Sequence, residues 1–482
     1  MTPQPNTVEV LWRSADIAAA TGGRATQPFE ASGVAIDNRT LSPGDLFIAL
    51  RGDNHDGHDF VGAAFDAGAS AALVSRVPDN LPANTSLLIA PDTFEALWAL
   101  ARAARARTSA RLVAVTGSVG KTGTKEMLAL IFEAHGPTAA TAGTFNNHIG
   151  APLSLARFAP SSRYGVFELG MNHADEIRPL TKLVKPHVAL ITTVQRVHLE
   201  NFGSIEGIAD AKAEIFEGLT SDGTALINRD DTALFDRLLA AAKRAGAARV
   251  ISFGAHRDAD ARLTQWYPDD DGGTVEAEIA GQALCYRVSL AGRHWALNSV
   301  AALAAAHAVG ADLARGARAL VALTPLKGRG ARHEITVAGG TADLIDESYN
   351  ASPVSIAAAI MTLGSRQIGP EGRRIAVLGD MLELGPDAAR FHAELADAIE
   401  RAGIDLVFAA GPLMTNLFSA LPASRRGAHT PNSSALLPLV RSALRPGDVV
   451  LVKGSHGSRT DLIVAGLLAD VAGMKTEASR AL

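Results

Sequence analysis

Short apolar runs alternate with segments of helical periodicity along most of the chain. This pattern is typical of α/β proteins whose sheets are mainly parallel. Near the N-terminus the apolar segments 33–39 and 45–50 predict two strands, and a Pro-Gly step between them supplies a turn. A helix at 59–68 and a strand at 71–75 are predicted to follow in this first unit, which we expect to end near residue 92.

A second unit is predicted to begin with an Ala- and Arg-rich helix at 93–107. Its predicted strands are the apolar segments 111–117, 164–170, 187–194 and 223–228. The stretch 256–293 contains Asp-Asp-Asp-Gly-Gly between short β-like runs, and we interpret it as a hairpin-rich insertion. A helix at about 296–309 follows.

A third unit is predicted to begin near residue 327. Its four predicted strands, separated by helical segments, are 342–347, 373–380, 405–411 and 448–454. This succession indicates a second doubly wound sheet. With roughly 100–200 residues per domain, 482 residues suggest about three domains. We therefore expect an α/β fold with a small N-terminal α/β domain (1–92), a central domain with a parallel sheet (93–326) and a C-terminal Rossmann-like domain (327–482).

Composition and charge exclude some classes of function. Hydrophobic residues make up 47% of the chain and charged residues 20%, which is ordinary for a globular protein. A net charge of −5 argues against nucleic-acid binding. The single cysteine, Cys285, and the lack of a signal-like N-terminus favour a reducing cytoplasm. The Ala-rich stretch 300–323 is too polar for membrane insertion and is interpreted as buried helix.

The strongest local signal is the segment 116–122, Thr-Gly-Ser-Val-Gly-Lys-Thr, between an apolar strand and a helical run. Glycines let a loop fold around phosphates, and a helix N-terminus presents free N–H groups to an anion. Lys121 can neutralise the β- and γ-phosphates and Thr122 can bind Mg²⁺. We therefore predict a P-loop ATPase-type central sheet. The alternative is a Gly-rich turn that only caps a helix.

Two further side chains are predicted at the carboxyl end of this sheet, where ligands of doubly wound folds bind. Glu168 ends the segment 164–170, and His198 lies a few residues beyond 187–194. Carboxylates are natural Mg²⁺ ligands and histidine is a less usual one. Each residue, taken alone, is also compatible with a structural role.

Lys212 lies on a predicted apolar stripe with Ile208, Ile215, Phe216 and Leu219. Such a stripe is normally buried. The lysine must therefore either extend its ammonium group to solvent or have a special role. The second option is a desolvated lysine with a lowered pKa that takes part in chemistry.

Together these segments resemble the Mur ligase family over nearly the whole chain. The matching motifs of the second unit are GSVGKT at 117–122, GTFNNHIGAP at 143–152, ELGMN at 168–172, HLENFGS at 198–204, AKAEI at 211–215 and GRHWALN at 292–298. Trp295 stands where the family commonly has Asn. Further on, KGR at 327–329 resembles the family's Gly-Arg step.

The resemblance implies an ATP-dependent ligase that forms an amide through an acyl phosphate. It assigns catalytic roles to Lys121, Lys212, His198 and Arg329. It assigns ATP binding to Gly117, Ser118, Val119, Gly120, Lys121, Thr122, Gly123, Asn298, Arg329 and Asp346. It places Thr122, Glu168 and His198 at Mg²⁺, and it aligns Lys212 with a lysine that the family carbamylates.

The third unit carries the segments DESYNASP at 346–353 and GDMLELG at 379–385, which resemble the branch that adds D-alanyl-D-alanine. Ser352, which replaces a common Asn, can still cap the helix that Pro353 begins. The implied substrates are UDP-N-acetylmuramoyl-tripeptide and D-alanyl-D-alanine, acted on by a monomer. The implied substrate-binding residues are Asn38, Arg39, Thr40, Asn146, Asn147, Tyr349 and Asn350. Sibling ligases, a nucleotide-dependent switch and an inactive scaffold remain the alternatives.

Overall fold

The computed structural model of the protein describes residues 9–478 except residues 53, 80, 144, 198 and 370. The N-terminal part of these residues forms one five-stranded sheet and one two-stranded pair. Its elements are β1 (Trp12–Arg13), α1 (Ser14–Thr21), β2 (Arg24–Ala25), β3 (Glu30–Ala31), β4 (Gly33–Ala35), β5 (Asp45–Ile48), α2 (Val61–Asp66), β6 (Ala71–Val74) and β7 (Leu87–Ile89). The sheet order is β2-β7-β6-β5-β4, with β4 to β7 parallel and β2 antiparallel to β7.

The central part of the described chain forms a nine-stranded sheet. Its strands are β8 (Arg111–Thr116), β9 (Thr138–Ala140), β10 (Tyr164–Glu168), β11 (Val188–Ile191), β12 (Thr224–Asn228), β13 (Arg249–Gly254), β14 (Ala261–Asp269), β15 (Gly272–Ile279) and β16 (Gln282–Val288). Its helices are α3 (Thr93–Arg107), α4 (Lys121–Glu133), α5 (Gly150–Ala156), α6 (Ile177–Val184), α7 (Leu199–Phe202), α8 (Ile205–Ala213), α9 (Thr232–Arg244), α10 (Arg293–Ala308) and α11 (Leu313–Ala319). The order is β16-β15-β14-β13-β12-β11-β8-β10-β9, parallel from β9 to β14.

The C-terminal part forms a six-stranded sheet in the order β17-β18-β22-β19-β20-β21. Here β17 (Ala331–Val337) is antiparallel to β18 (Gly340–Glu347), and the other neighbours are parallel. The remaining elements are α12 (Pro353–Gly364), β19 (Arg374–Gly379), α13 (Ala388–Ala393), α14 (Leu395–Arg401), β20 (Leu406–Ala410), α15 (Met414–Ala420), β21 (Arg426–Thr430), α16 (Ser433–Ala443), β22 (Val449–Lys453) and α17 (Asp461–Ala478).

The central sheet is covered on both faces by apolar side chains. Helix α4 buries Met127, Leu128, Ile131 and Phe132 on one face, in a cluster shared with α10. That spacing repeats every three to four residues, as expected for a helix packed on one side. A second cluster covers the other face with residues from α6 and α8. Because both faces are covered, functional groups of this sheet can lie only at its edges or strand ends.

Most predicted elements are confirmed, and the differences have physical causes. Helix α3 has the predicted limits, and Ser352 caps α12 in a reciprocal hydrogen-bonding box with Ser355. The hairpin-rich stretch predicted within the second unit at 256–293 is confirmed, and its strands β14, β15 and β16 extend the central sheet because β14 pairs with β13. The α-helical stripe predicted to reach Leu219 was too long, since α8 ends at Ala213 and a 3₁₀ helix follows.

The domain limits near residues 92 and 326 stay predictions.

Among the residues that the structure describes, none of the helices combines the length and apolarity needed to cross a bilayer.

Candidate nucleotide and ligation site

The phosphate loop lies at the carboxyl end of β8, and α4 begins at Lys121 directly after it. Gly120 has φ 86°, a left-handed conformation that side chains disfavour. A Cβ at Gly117 would overlap the hydroxyl of Thr192 on the loop that follows β11. Both glycines are therefore required by local geometry, and the predicted strand–loop–helix unit is confirmed.

Lys121 folds back over its own loop. Its Nζ donates to the carbonyl oxygens of Gly117 at 2.8 Å and Ser118 at 3.4 Å. Burial lowers the pKa of Lys121, the charge of Glu168 opposes this, and the charge of Arg329 adds to it. The ammonium group thus lies among the loop, a carboxylate and a second cation, where an incoming anion would meet both positive charges.

Glu168 ends β10 and is 1% exposed. Its Oε1 accepts a hydrogen bond from Asn146 Nδ2 at 2.8 Å. Its Oε2 is buried and has no hydrogen-bond partner among the described residues. A buried carboxylate oxygen without a donor is costly unless a cation completes it. The structure brings Glu168, Asn146 and the buried Thr122 to one cavity, as the sequence predicted.

His198, the remaining predicted Mg²⁺ residue, lies outside the described residues. Of the neighbouring residues on the same loop, Val197 lines the cavity. The hydroxyl of Thr193, earlier on this loop, is buried and lacks a partner among the residues described.

Lys212 is 3% exposed, so it does not extend to solvent. Burial lowers its pKa well below the usual value, and the positive charge of Lys121 lowers it further. No described residue accepts a hydrogen bond from its ammonium group. Of the two options that the sequence left open, extension to solvent or desolvation, the structure therefore shows a desolvated lysine.

Asn298 on α10 is buried and faces the phosphate loop from the other side. A Cβ on Gly120 would lie 3.0 Å from Asn298 Nδ2. Trp295, one turn earlier, covers Gly123 so closely that any side chain there would overlap its ring. Trp295 therefore packs against the start of α4, and Gly123 is needed for this packing.

The opposite wall of the site comes from the C-terminal domain. Arg329 lies over the ring of Tyr349, with 4.1 Å from its Cζ to the ring centroid. Gly328, beside it, has φ 73° and accepts from the N–H of Tyr349 at 3.1 Å. Both Arg329 and Tyr349 line the same cavity as Lys121, so the structure brings these three predicted residues together.

Asp346, which was predicted to bind ATP, is buried beside the cleft rather than in its lining. Asp346 is 2% exposed, and its carboxylate accepts from the N–H groups of Gly328 at 2.9 Å and Ser348 at 3.1 Å. It thus holds the loop that carries Arg329. Glu347 lines the cavity instead and pairs with Lys453 Nζ at 3.1 Å. Neither Glu347 nor Lys453 was predicted as a site residue, although each is the last residue of a strand.

The remaining predicted substrate residues are divided between this cleft and other parts of the structure. Asn350 lines the cavity, and its carbonyl accepts from Lys453. The Asn147 side-chain oxygen accepts from the N–H groups of Ile149 and Gly150 at the start of α5. In the N-terminal domain, Arg39 forms a bidentate ion pair with Asp37. Asn38 and Thr40 flank Arg39 there, and substrate binding by any of these residues remains a prediction.

The cavity between the central and C-terminal domains has a volume of about 970 Å³. It combines a phosphate loop, a buried carboxylate oxygen without a donor, and cations from two domains. A parallel sheet with such a loop, facing a second doubly wound domain across a cleft, is typical of a nucleotide-dependent enzyme.

Comparison with known proteins places the chain within one family. A model described as "Mur ligase middle domain" matches residues 115–306, and "Mur ligase, glutamate ligase domain" matches residues 331–456. A third, "Mur ligase family, catalytic domain", matches residues 30–105. The chain belongs to the Mur ligase family.

Curated relatives that carry the name UDP-N-acetylmuramoyl-tripeptide--D-alanyl-D-alanine ligase include proteins of two bacteria. The Rickettsia prowazekii protein is 32% identical over 94% of this chain and 99% of its own length. The Escherichia coli protein is 36% identical over 90% of this chain and 93% of its own length. Among solved structures, MurF from Acinetobacter baumannii has a TM-score of 0.81 and 29% identity, covering 96% and 99% of the two chains. MurF ligase from Thermotoga maritima, solved in complex with ADP, has a TM-score of 0.75 and 26% identity, covering 92% and 98%.

Proposed function

We propose that the chain is an ATP-dependent ligase that joins D-alanyl-D-alanine to UDP-N-acetylmuramoyl-tripeptide. The observation that carries this function is the cleft in which Lys121 and Glu168 of one domain face Arg329 of another. The named relatives, similar over at least nine tenths of the chain, support the choice of substrates.

The phosphate loop and both cations are assigned to ATP. The glycine-rich loop meets the start of α4, where free backbone N–H groups and the helix dipole favour negative charge. Lys121 and Arg329 neutralise the γ-phosphate from opposite sides of the cleft. Asn298, which lies against the loop, is assigned to the nucleoside side of ATP. Glu347, rather than the buried Asp346, is the acid of this segment that can reach a bound nucleotide.

The donor set fits a Mg²⁺ ion. Glu168 offers a buried oxygen without a donor, and Thr122 offers a hydroxyl at the loop. His198 is retained as a further ligand on the strength of the family resemblance. When bound, Mg²⁺ supplies neutralisation of the phosphate charge.

Lys212 is proposed to carry a carbamate. A lysine reacts with CO₂ only as the free amine, and burial favours that form here. The product is an anion, which the positive charge of Lys121 would attract rather than repel.

The chain's residues then serve two chemical steps. In the first, a carboxylate oxygen of the tripeptide attacks the γ-phosphorus of ATP, ADP leaves, and an acyl phosphate forms. In the second, the free amine of D-alanyl-D-alanine attacks the acyl carbon and inorganic phosphate leaves with the original carboxylate oxygen. Lys121 and Arg329 offset the repulsion between two anions, and holding the reactants together can lower the barrier by roughly 7–11 kcal/mol.

The outer substrates are assigned to the outer domains. Asn38, Arg39 and Thr40 are proposed to contact the UDP end in the N-terminal domain, with Asn146 and Asn147 nearer the tripeptide. Tyr349 and Asn350 are proposed to contact the dipeptide. We further propose that the enzyme acts as a monomer in the cytoplasm. Nucleotide-linked substrates and a single free cysteine are both compatible with that reducing compartment.

A phosphate-release assay with each substrate omitted in turn tests this function. We expect release only when ATP, UDP-linked tripeptide and D-alanyl-D-alanine are all present. Efficient use of single amino acids in place of the dipeptide would indicate a sibling ligase. Phosphate release without any amine acceptor would indicate a plain ATPase and contradict the proposal.

A further inference from the structure

The turn between β14 and β15 leaves the central sheet and contacts the C-terminal domain. Arg332 Nη1 lies 2.6 Å from Asp271 Oδ1 and 3.4 Å from the carbonyl oxygen of Asp270. Arg366 donates through Nη1 to the same carbonyl oxygen. Two arginines of one domain therefore hold a single two-residue turn of the other.

The two arginines differ in what else supports them. Arg332 Nη2 lies 3.0 Å from Asp343 Oδ2, within its own domain. Arg366 is 8% exposed, and its buried Nε has no acceptor among the described residues. Burial lowers the pKa of Arg366, and the charge of Arg332 adds to this, whereas Asp270, Asp271 and Asp343 oppose it. Charges of both domains thus converge on this contact, and the turn supplies the acceptor that Arg366 uses.

The contact also lies at the edge of the proposed site. Asp271, Arg332 and Arg366 all line the cavity that contains Lys121. Arg332 is the second residue of β17, and Arg329 comes three residues before it. Since the turn fixes the start of β17, it also fixes where Arg329 stands relative to the phosphate loop.

We propose that the turn at residues 270–271, held by Arg332 and Arg366, is an interdomain anchor that positions Arg329 opposite Lys121 during ligation. This role rests on the proposed ligase function. Asp271, Arg332 and Arg366 act as positioning residues, because their contacts join the two domains and Arg329 is the group assigned to phosphate.

The test compares two aspartates on the same hairpin. Asp271→Asn removes the interdomain pair. Asp269→Asn removes a pair of the same kind with Arg287, 3.0 Å from Nη2 to Oδ1, that lies wholly within the central domain. Arg332→Gln and the double variant Asp271→Asn with Arg332→Gln complete a cycle, and Asp271→Glu restores the carboxylate. The measured quantity is kcat/KM for D-alanyl-D-alanine at saturating ATP and UDP-linked tripeptide, with Tm measured for every variant.

We expect Asp271→Asn to lower kcat/KM by about threefold to fivefold, as suits a partly exposed ion pair. Asp269→Asn should leave it unchanged within about 1.5-fold, and Asp271→Glu should recover more than half of the loss. The double variant should be no worse than Arg332→Gln alone. Equal effects of the two Asn variants, multiplying effects in the cycle, or an unchanged Asp271→Asn would each overturn the anchor. If the wild-type chain showed no dipeptide-dependent phosphate release, the proposed function would fail, and with it the anchor's role in ligation.

Discussion

Two lysines on helices of the central domain are buried to a similar degree but have different surroundings. Lys125 on α4 is 1% exposed, and its Nζ donates to the carbonyl oxygen of Thr141 at 2.9 Å and pairs with Glu126. Lys212 on α8 is 3% exposed, and no described residue accepts a hydrogen bond from it. A buried ammonium group with acceptors holds structure together. One without acceptors has a lowered pKa and is available for chemistry.

Lys121 connects the two lysines, since it shares α4 with Lys125 and its charge lowers the pKa of Lys212. We expect Lys121→Ala to reduce turnover by about 10³-fold or more, because it removes a cation that we assign to the transferred phosphoryl group. Turnover is measured by phosphate release, and the fold by circular dichroism. Lys182→Ala, at an exposed lysine paired with Glu217, is the matched control and should keep normal activity. Near-normal turnover of a folded Lys121→Ala would refute the phosphate-loop assignment.

Lys212→Met should lower turnover by about 10²-fold while leaving Tm unchanged or raised. The substitution removes a group proposed to take part in the reaction, but it also replaces a buried amine that lacks a hydrogen-bond acceptor with an apolar side chain. Wild-type activity should fall when CO₂ is removed from the buffer and return with bicarbonate, whereas the variant should not respond. Full activity of Lys212→Met, or a wild type indifferent to bicarbonate, would argue against the carbamate.

Lys125→Met should lower stability more, and turnover less, than Lys212→Met does. It leaves the Thr141 carbonyl and the Glu126 carboxylate without their donor, which costs about 2 kcal/mol. We expect Tm of the transition to fall by roughly 4–8 °C, with a smaller loss of turnover than in Lys212→Met. If the two Met variants changed Tm alike, the distinction between a structural and a chemical lysine would not hold.

The smallest expected effect is on the pH dependence of stability. The lowered pKa of Lys212 means that the unfolded chain binds one more proton between the folded-state pKa and about 10.4. The stability of the wild type therefore rises with pH in this window. In CO₂-free buffer, any stability advantage of Lys212→Met should shrink as pH rises from 7 to 9. An advantage that grows with pH would contradict the direction of the shift.

Much of the part of the site that belongs to the central domain could be predicted from the sequence. Parallel strands have their carboxyl ends at the same edge of a sheet, so residues that end such strands are expected to lie together. That rule located Glu168, the glycine-rich motif between a strand and a helix located the loop of Lys121, and helix-cap chemistry predicted the role of Ser352. Arg329 and Asn298 could be predicted as site residues only from the family resemblance. An arginine in a turn and an asparagine on a helix commonly have structural roles, so their local sequence does not indicate a function.

Other features depend on packing that a linear pattern does not show. Strand β18 has buried residues on both faces, so alternation does not reveal that Glu347 and not Asp346 meets the cleft. Lys125 is buried because the loop at Thr141 packs against it, and this contact forms only when the chain is folded. The contact of Arg366 with the β14–β15 turn joins residues 96 positions apart and follows from how two domains meet.

The most direct test of the account follows an oxygen atom. If the tripeptide carboxylate is labelled with ¹⁸O and the ligation runs to completion, the acyl-phosphate route transfers one labelled oxygen to the released phosphate. We expect mass spectrometry of the phosphate to show one ¹⁸O atom per molecule, with the label arriving only when the dipeptide is present. Released phosphate without label would contradict phosphoryl transfer to the carboxylate, and with it the proposed role of the cleft between Lys121 and Arg329.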